Sequence, residues 1–390
     1  MSLASSNRVA VRRIKEVTFG TIPATPTLLD LRYTGESFNY NISNIVSEEI
    51  RADRMVSDLI QVQADASGDV NVELSYGSYD DFIEGAMAST FSADIGISGT
   101  DIGITTGTDI LSSSSTDFVA AGLVVGQWFK VGGFSNAALN KYYKAISVAT
   151  NAVGVVAGSV PATEAAGNTV TVDGSMIRNG VVESSFSIQK HIQDATVPTF
   201  INFNGTRIGG MALTFATGQI LTGSFNLMAL GAVVSTSQIA GATVTPVGSS
   251  SVLNAVDNVS EIYEDDVLST SNFSNLSLNL SNNLRAQDAI GSLAHVGIAL
   301  SRLEVTGDIS IYFEDNVMYN KYINATQFSL SFRVQDAAGN AYIFTLPAVK
   351  FESGSVVSGG LDQDIILEAS WRAIADSTTN CMIQIDRIAA

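Results

Sequence analysis

A chain of 390 residues is long enough for two or three domains, and 46% hydrophobic against 15% charged residues allows large cores beneath a sparsely charged surface. With 38 acids against 20 bases the net charge is −18, which excludes gripping nucleic-acid phosphates by counterion release and favours solubility. A single cysteine, Cys381, excludes an internal disulfide framework, and residues 1–8 lack the apolar core of a signal peptide.

In chain order, residues 1–31 read as an extended N-terminal arm. Arg8, Arg12, Arg13 and Lys15 make it the most basic segment, and Pro23 and Pro26 rule out a helix interior. Such an arm is expected to dock on an acidic neighbour. In residues 32–95, Phe38, Tyr40 and Ile42 alternate with Asn39, Asn41 and Ser43, which marks a strand with one buried face. A polar tip over residues 47–58 carries Glu48, Glu49, Arg51, Asp53, Arg54 and Asp58. A second strand runs through Gly68-Asp69, a pair that permits a bulge or bend, and a helix is expected over 79–88.

Residues 96–178 are short apolar runs split by Gly and Asn, as in a small inserted β-barrel or sandwich. Residues 179–235 resume the first unit. Residues 208–256 are free of charge, yet Leu221, Gly223, Phe225, Leu227 and Ala229 alternate with polar neighbours, so a half-buried strand fits better than a membrane span. Residues 236–272 read as a linker, rich in Gly, Ser and Thr at 241–251. The acidic run 261–266 lacks calcium-loop spacing and reads as solvated charge.

Residues 273–390 repeat the first unit. Leu276, Leu278 and Leu280 alternate with Ser277, Asn279 and Ser281; a polar segment with Arg285 and Asp288 follows; then Gly307-Asp308 and a helix over 317–325. From Asn41 to Gly68 is 27 residues, and from Asn279 to Gly307 is 28. Ser185-Phe186-Ser187 matches Gln327-Phe328-Ser329, and Phe215 to Gly218 matches Phe351 to Gly354. Order and spacing together indicate a duplication, the first copy interrupted by the insertion.

Catalytic constellations are scarce. The two histidines, His191 and His295, have no partner at metal-ligand spacing, and no Walker-type loop, Gly-x-Ser-x-Gly elbow or His-Glu-x-x-His occurs. No enzymatic activity, cofactor or metal is expected.

The arm from Val9 to Pro26, Arg32-Tyr33-Thr34-Gly35-Glu36-Ser37, Glu49-Ile50-Arg51-Ala52-Asp53-Arg54, the run from Gly68 to Tyr76 and the end Cys381 to Arg387 together resemble tail tube proteins of long-tailed, siphovirus-type bacteriophages. The resemblance implies a mainly β fold: two tandem tail-tube β-sandwich domains, each with a flanking helix, plus the inserted β-domain on the outer face. It implies six domains in a ring whose inner strands make one barrel, rings stacked through a hairpin loop and terminal arm, and DNA passing down the centre without specific binding. One duplicated chain would supply two of six positions, so three chains would close a pseudo-sixfold ring. Implied partners are further copies of itself, a tape measure protein and tail tip and terminator proteins, with no membrane. The implied location is the virion tail, after assembly in the host cytoplasm. The contact candidates are Arg8, Arg12, Arg13, Lys15, Glu48, Glu49, Arg51, Asp53, Arg54, Asp58, Arg285 and Asp288, with Gly68, Asp69, Gly307 and Asp308 as strand bends. The alternative is a secreted or surface-layer β-repeat adhesin.

Overall fold

A computed structural model of the chain describes residues 4–256, 258–358 and 360–390. The fold is mainly β, 49% strand against 5% helix. The first copy opens with β1 (Val9–Lys15), β2 (Thr27–Asp30), β3 (Gly35–Glu36), β4 (Asn39–Val46), β5 (Leu59–Glu73) and helix α1 (Asp80–Met87). The insertion holds β6 (Ile97–Gly99), β7 (Ile102–Thr105), β8 (Ile110–Ser113), β9 (Trp128–Gly132), β10 (Tyr142–Ala149), β11 (Ala152–Val155) and β12 (Val170–Asp173). Strand β13 (Ser175–Arg178), within the stretch expected as the insertion, pairs instead with β28, and the first copy resumes with β14 (Phe186–Ile192), β15 (Thr199–Ala216), β16 (Thr222–Ala229) and β17 (Gly231–Ser235). Between the copies lie β18 (Thr243–Thr245), β19 (Val259–Glu264) and β20 (Val267–Leu268). The second copy holds β21 (Phe273–Ser281), β22 (Arg285–Gln287), β23 (Gly297–Ala299), β24 (Glu304–Tyr312), α2 (Val317–Ile323), β25 (Phe328–Gln335), β26 (Ala341–Val357), β27 (Ile366–Ala373) and β28 (Gln384–Ile388).

One antiparallel sheet runs through both copies in the order β4–β5–β16–β15–β21–β24–β27–β26. Alternation gives it two unlike faces. Val70, Val72, Phe225, Leu227, Met211, Leu278, Leu280, Ile309 and Trp371 point into the core, while Asn71, Asn226, Asn279, Asp308 and Glu368 are exposed on the other side. A second layer covers the core: β18–β2–β1–β14–β15–β17 in the first copy and β20–β19–β25–β26–β28–β13 in the second. The long strands β15 and β26 cross from this layer into the shared sheet at register shifts after Ile208 and Phe351. Helix α1 lies against that crossing, where a Cβ on Gly85 would come within 2.6 Å of Ile208.

The same small device occurs in both copies. The Asp69 N–H donates to Ser37 Oγ at 2.9 Å, and the Asp308 N–H to Ser277 Oγ at 2.8 Å. Gly68 lies opposite Leu227 and Gly307 opposite Trp371, while Ile208 and Phe351 face those same two partners. These pairings correct the alignment expected from sequence by two and by seven residues. Asn39, not Asn41, is the equivalent of Asn279, and Ile208, not Phe215, is the equivalent of Phe351. A register shift opposite Ser43 and Asn44 leaves Val62 of β5 as an added residue that a match of residue types cannot see. The Gly-Asp pairs carry no register shift themselves. Their glycines serve close approach instead: a Cβ on Gly68 would stand 2.5 Å from the Ser37 carbonyl oxygen, and on Gly307 2.0 Å from that of Ser277.

Residues 9–15 and 27–30 form sheet strands rather than a free arm, because Val11 and Arg13 are buried where β1 pairs with β14. Within the stretch expected as a linker, β18 pairs with β2 and β19 with β25. The insertion has its own sheet and core, centred on Ile102, Phe118, Phe129, Val131, Val153 and Val172. It meets the second copy through Trp128 against Ile343 and Ile388.

Beneath that contact sits the fully buried Asp386, which accepts hydrogen bonds from the Trp128 N–H at 3.2 Å and from Gln384 Nε2. Burial pushes its carboxyl up to about 8, against the Gln384 and Trp128 donors and the charges of Arg178 and Lys144. A raised carboxyl stabilises the fold most below its unfolded value of 3.8, and that contribution is lost as pH rises towards the folded value. Asp386→Asn is therefore expected to gain on the wild type by up to about 1.4 kcal/mol per pH unit between about pH 4 and 8. Urea midpoints of the two proteins over that range test it; parallel curves would show that Asp386 does not titrate.

Candidate assembly surfaces

The shared sheet ends in two open strand edges. Among the described residues no strand pairs with the outer edge of β4, nor with residues 351–357 on the side away from β27. Unpaired edges of this kind are templates for another chain. The chain already contains one such pairing inside itself. Strand β15 joins β21 with Gly210 opposite Ser281, Ala212 opposite Asn279 and Ala216 opposite Asn275. By the equivalences above, residues 353–357 of β26 occupy the place of β15, and β4 occupies the place of β21.

The β4–β5 hairpin continues its ladder beyond the sheet to Val46 opposite Leu59. The charges seen in sequence lie on its exposed tip. Arg51 donates to Asp53 through Nε at 3.0 Å and through a terminal nitrogen at 2.6 Å. That bidentate pair lowers the Asp53 carboxyl and raises the Arg51 guanidinium from their usual values. Arg54 sits in a left-handed turn at φ 60° and, among the described residues, makes no ion pair. The exposed apolar residues of this hairpin extend beyond its polar tip. Ile50 is 99% exposed, Val56 70% and Met55 61%, and Ile42, Ile45, Val46, Leu59, Ile60 and Val62 are exposed as well. The signal was present as loss of alternation, since Leu59 and Ile60 are adjacent apolar residues on opposite faces.

The second-copy tip is arranged differently. It folds into the small β22–β23 ladder, with Arg285 Nε donating to Ser301 Oγ at 2.9 Å, and lies against β5. The Ala64 N–H donates to the Leu293 carbonyl at 2.8 Å, and Gln63 Nε2 to Asp288 at 3.2 Å. His295, 6% exposed, bridges Asp288 at 2.6 Å and Asp65 at 3.1 Å. Burial opposes its charged form, yet the two carboxylates outweigh burial and raise its value. The clamp is complete below the ordinary histidine range and weakens as pH rises through the raised value.

The basic residues of the first strand do not stand free for a neighbour. Arg12 pairs with Asp30 at 2.9 Å, Arg13 with Asp81 at 2.5 Å and Lys15 with Glu84 at 3.0 Å. Because β1 enters the sheet, these side chains land on β2 and α1. Only Arg8 of the four is exposed without an ion pair among the described residues. The described residues contain no group of three His, Cys, Asp or Glu side chains able to hold a metal ion, and none of their helices is long and apolar enough to cross a membrane.

A family model described as phage tail tube protein matches residues 6–373. No curated protein matches the chain.

Proposed function

The chain belongs to the phage tail tube protein family, and from that premise we propose that three chains close a pseudo-sixfold ring and that rings stack into the hollow tail tube. The observation that carries this reading is the shared sheet. Each copy contributes four equivalent strands, the copies are joined by β15 and β21, and the equivalent edges on β26 and β4 are left open. Repeating the internal pairing between chains is a head-to-tail contact, which closes if the rotation fits. The exposed face bearing Asn71, Asn226, Asn279, Asp308 and Glu368 would then line the lumen. Amides and carboxylates there would let DNA pass without gripping its phosphates.

The insertion packs on the opposite layer, over β26 and β28, and would sit on the outer wall. The β4–β5 tip, with Glu48, Glu49, Arg51, Asp53, Arg54 and Asp58, would contact the adjacent ring. Arg8, just before β1, is the one basic residue of the N-terminal segment left for such a contact, while Arg285 and Asp288 serve the chain's own second tip. Further partners are a tape measure protein and the tail tip and terminator proteins. Assembly takes place in the host cytoplasm and ends in the virion tail, with the protein acting structurally rather than as an enzyme. Cryo-EM of tubes from the purified chain is expected to resolve three chains per ring. Six chains per ring would sink the reading and leave the duplication without this role.

A further inference from the structure

Beside the β15–β21 pairing, the two copies also meet through side chains, and that contact is polar. Asn282, 3% exposed, donates to the Ala86 carbonyl at 2.9 Å and to the Ile208 carbonyl at 3.1 Å. Asp80, the first residue of α1, accepts from Arg387 Nη1 at 2.8 Å and from the Tyr342 hydroxyl. Ile385, two residues before Arg387 on the same face of β28, is fully buried.

These residues have counterparts at the outer ends of the chain. Because Asn39 is the equivalent of Asn279, Ile42 takes the place of Asn282. Helices α1 and α2 start at Asp80 and Val317, and each leads to a left-handed alanine eight residues on, Ala88 at φ 48° and Ala325 at φ 49°. Val317 thus replaces Asp80, and Ile323 replaces Ala86. Strands β15 and β26 carry matching register shifts against β14 and β25, which makes Ile201 the equivalent of Phe344. Val234 faces Ile201 as Ile385 faces Phe344, so Val234 replaces Ile385, and exposed Thr236 follows in the place of Arg387. Ala86 and Ile385 are 0% exposed, whereas Val234 is 67%, Ile323 59%, Val317 52% and Ile42 40% exposed.

Resting on the ring reading, we infer that these four residues form an apolar seam between chains: Val317 and Ile323 of one chain seat against Val234 and Ile42 of the next. The two junctions face different demands. The internal one is tethered, so its groups meet at high effective concentration and polar contacts are enough to fix its geometry. The seam between chains has to offset lost translational and rotational freedom, which buried apolar area does better than exposed ion pairs. The unlike chemistry also sorts the surfaces. A second chain's α2 set against β28 would bring Val317 to Arg387 and leave that charge without its partner.

A substitution with rescue tests the seam. Val317→Asp puts a charge into it and spares the fold, because an acidic residue is favoured at the start of a helix. It is expected to raise the concentration needed for rings by about tenfold or more in analytical ultracentrifugation, with an unchanged urea midpoint. Val119→Asp, at a valine of the insertion that is 53% exposed, is expected to leave assembly unchanged. Val317→Asp with Thr236→Arg copies the Asp80–Arg387 pair into the seam. That double variant is expected to recover rings at low salt and to lose them at about 1 M salt, where wild-type rings persist. Wild-type assembly in Val317→Asp, or a double variant that stays unassembled at low salt, would overturn the seam while leaving the sheet-edge pairing of the ring intact. A wild-type chain that forms no rings would overturn both.

Discussion

Oxidation of a chain carrying Asn39→Cys and Ser355→Cys is expected to convert assembled rings into covalent trimers on a non-reducing gel. The internal junction sets Ala212 opposite Asn279. Ile208 and Phe351 are equivalent, each strand has one register shift just after them, and so Ser355 takes the place of Ala212. The Ser37 and Ser277 contacts make Asn39 the equivalent of Asn279. Residues directly opposite in an antiparallel pair have Cβ atoms about 4.5–5.5 Å apart, close to disulfide reach. Background is low because the one native thiol, Cys381, is buried, and burial raises it above its usual value. Asn39→Cys with Val356→Cys, which places the second thiol on the other face, is the control expected to stay unlinked. A ladder running on to six chains, or no linkage in assembled rings, would refute the proposed register.

Replacing Gly307 with valine is expected to damage the fold severely. A Cβ there would stand 2.0 Å from the Ser277 carbonyl oxygen and 2.3 and 2.7 Å from the Trp371 indole. Neither neighbour can yield cheaply. Ser277 lies in β21, which is bonded to β15 on one side and β24 on the other, and Trp371 is fully buried in the central core. Overpacking of a tight core costs about 1–3 kcal/mol, and a clash with backbone belongs at or above the top of that range. The urea midpoint should fall accordingly. Gly248→Ala, where the added Cβ meets nothing within 4 Å, should leave it unchanged. Near-equal midpoints for the two variants would show that the strands around Gly307 relax more freely than their pairing implies.

Much of this architecture was legible in the chain itself. Period-two alternation marked β4 and β21 and the strands through both Gly-Asp pairs as strands, but the buried face expected from Tyr40 and Ile42 is not buried in β4, where Ile42 is exposed. Short runs between glycines marked the strands from β6 to β12, and both helices were located to within two residues. These features are local: each residue's preference and its spacing from near neighbours carry them. Other features arise only when distant segments meet. The register of the repeat depended on an extra residue, Val62, inside β5. The charges of Arg12, Arg13 and Lys15 were spent on Asp30, Asp81 and Glu84, acids that β2 and α1 bring alongside. The bridge from Asp65 through His295 to Asp288 joins β5 to a tip more than two hundred positions away and, with the Ala64 to Leu293 and Gln63 to Asp288 hydrogen bonds, holds that tip down. The β15–β21 junction likewise has no residue signature, because backbone N–H and C=O groups make it and every strand carries those. Alternation tells a strand which face to bury, whereas the choice of partner along its edge belongs to the assembled fold.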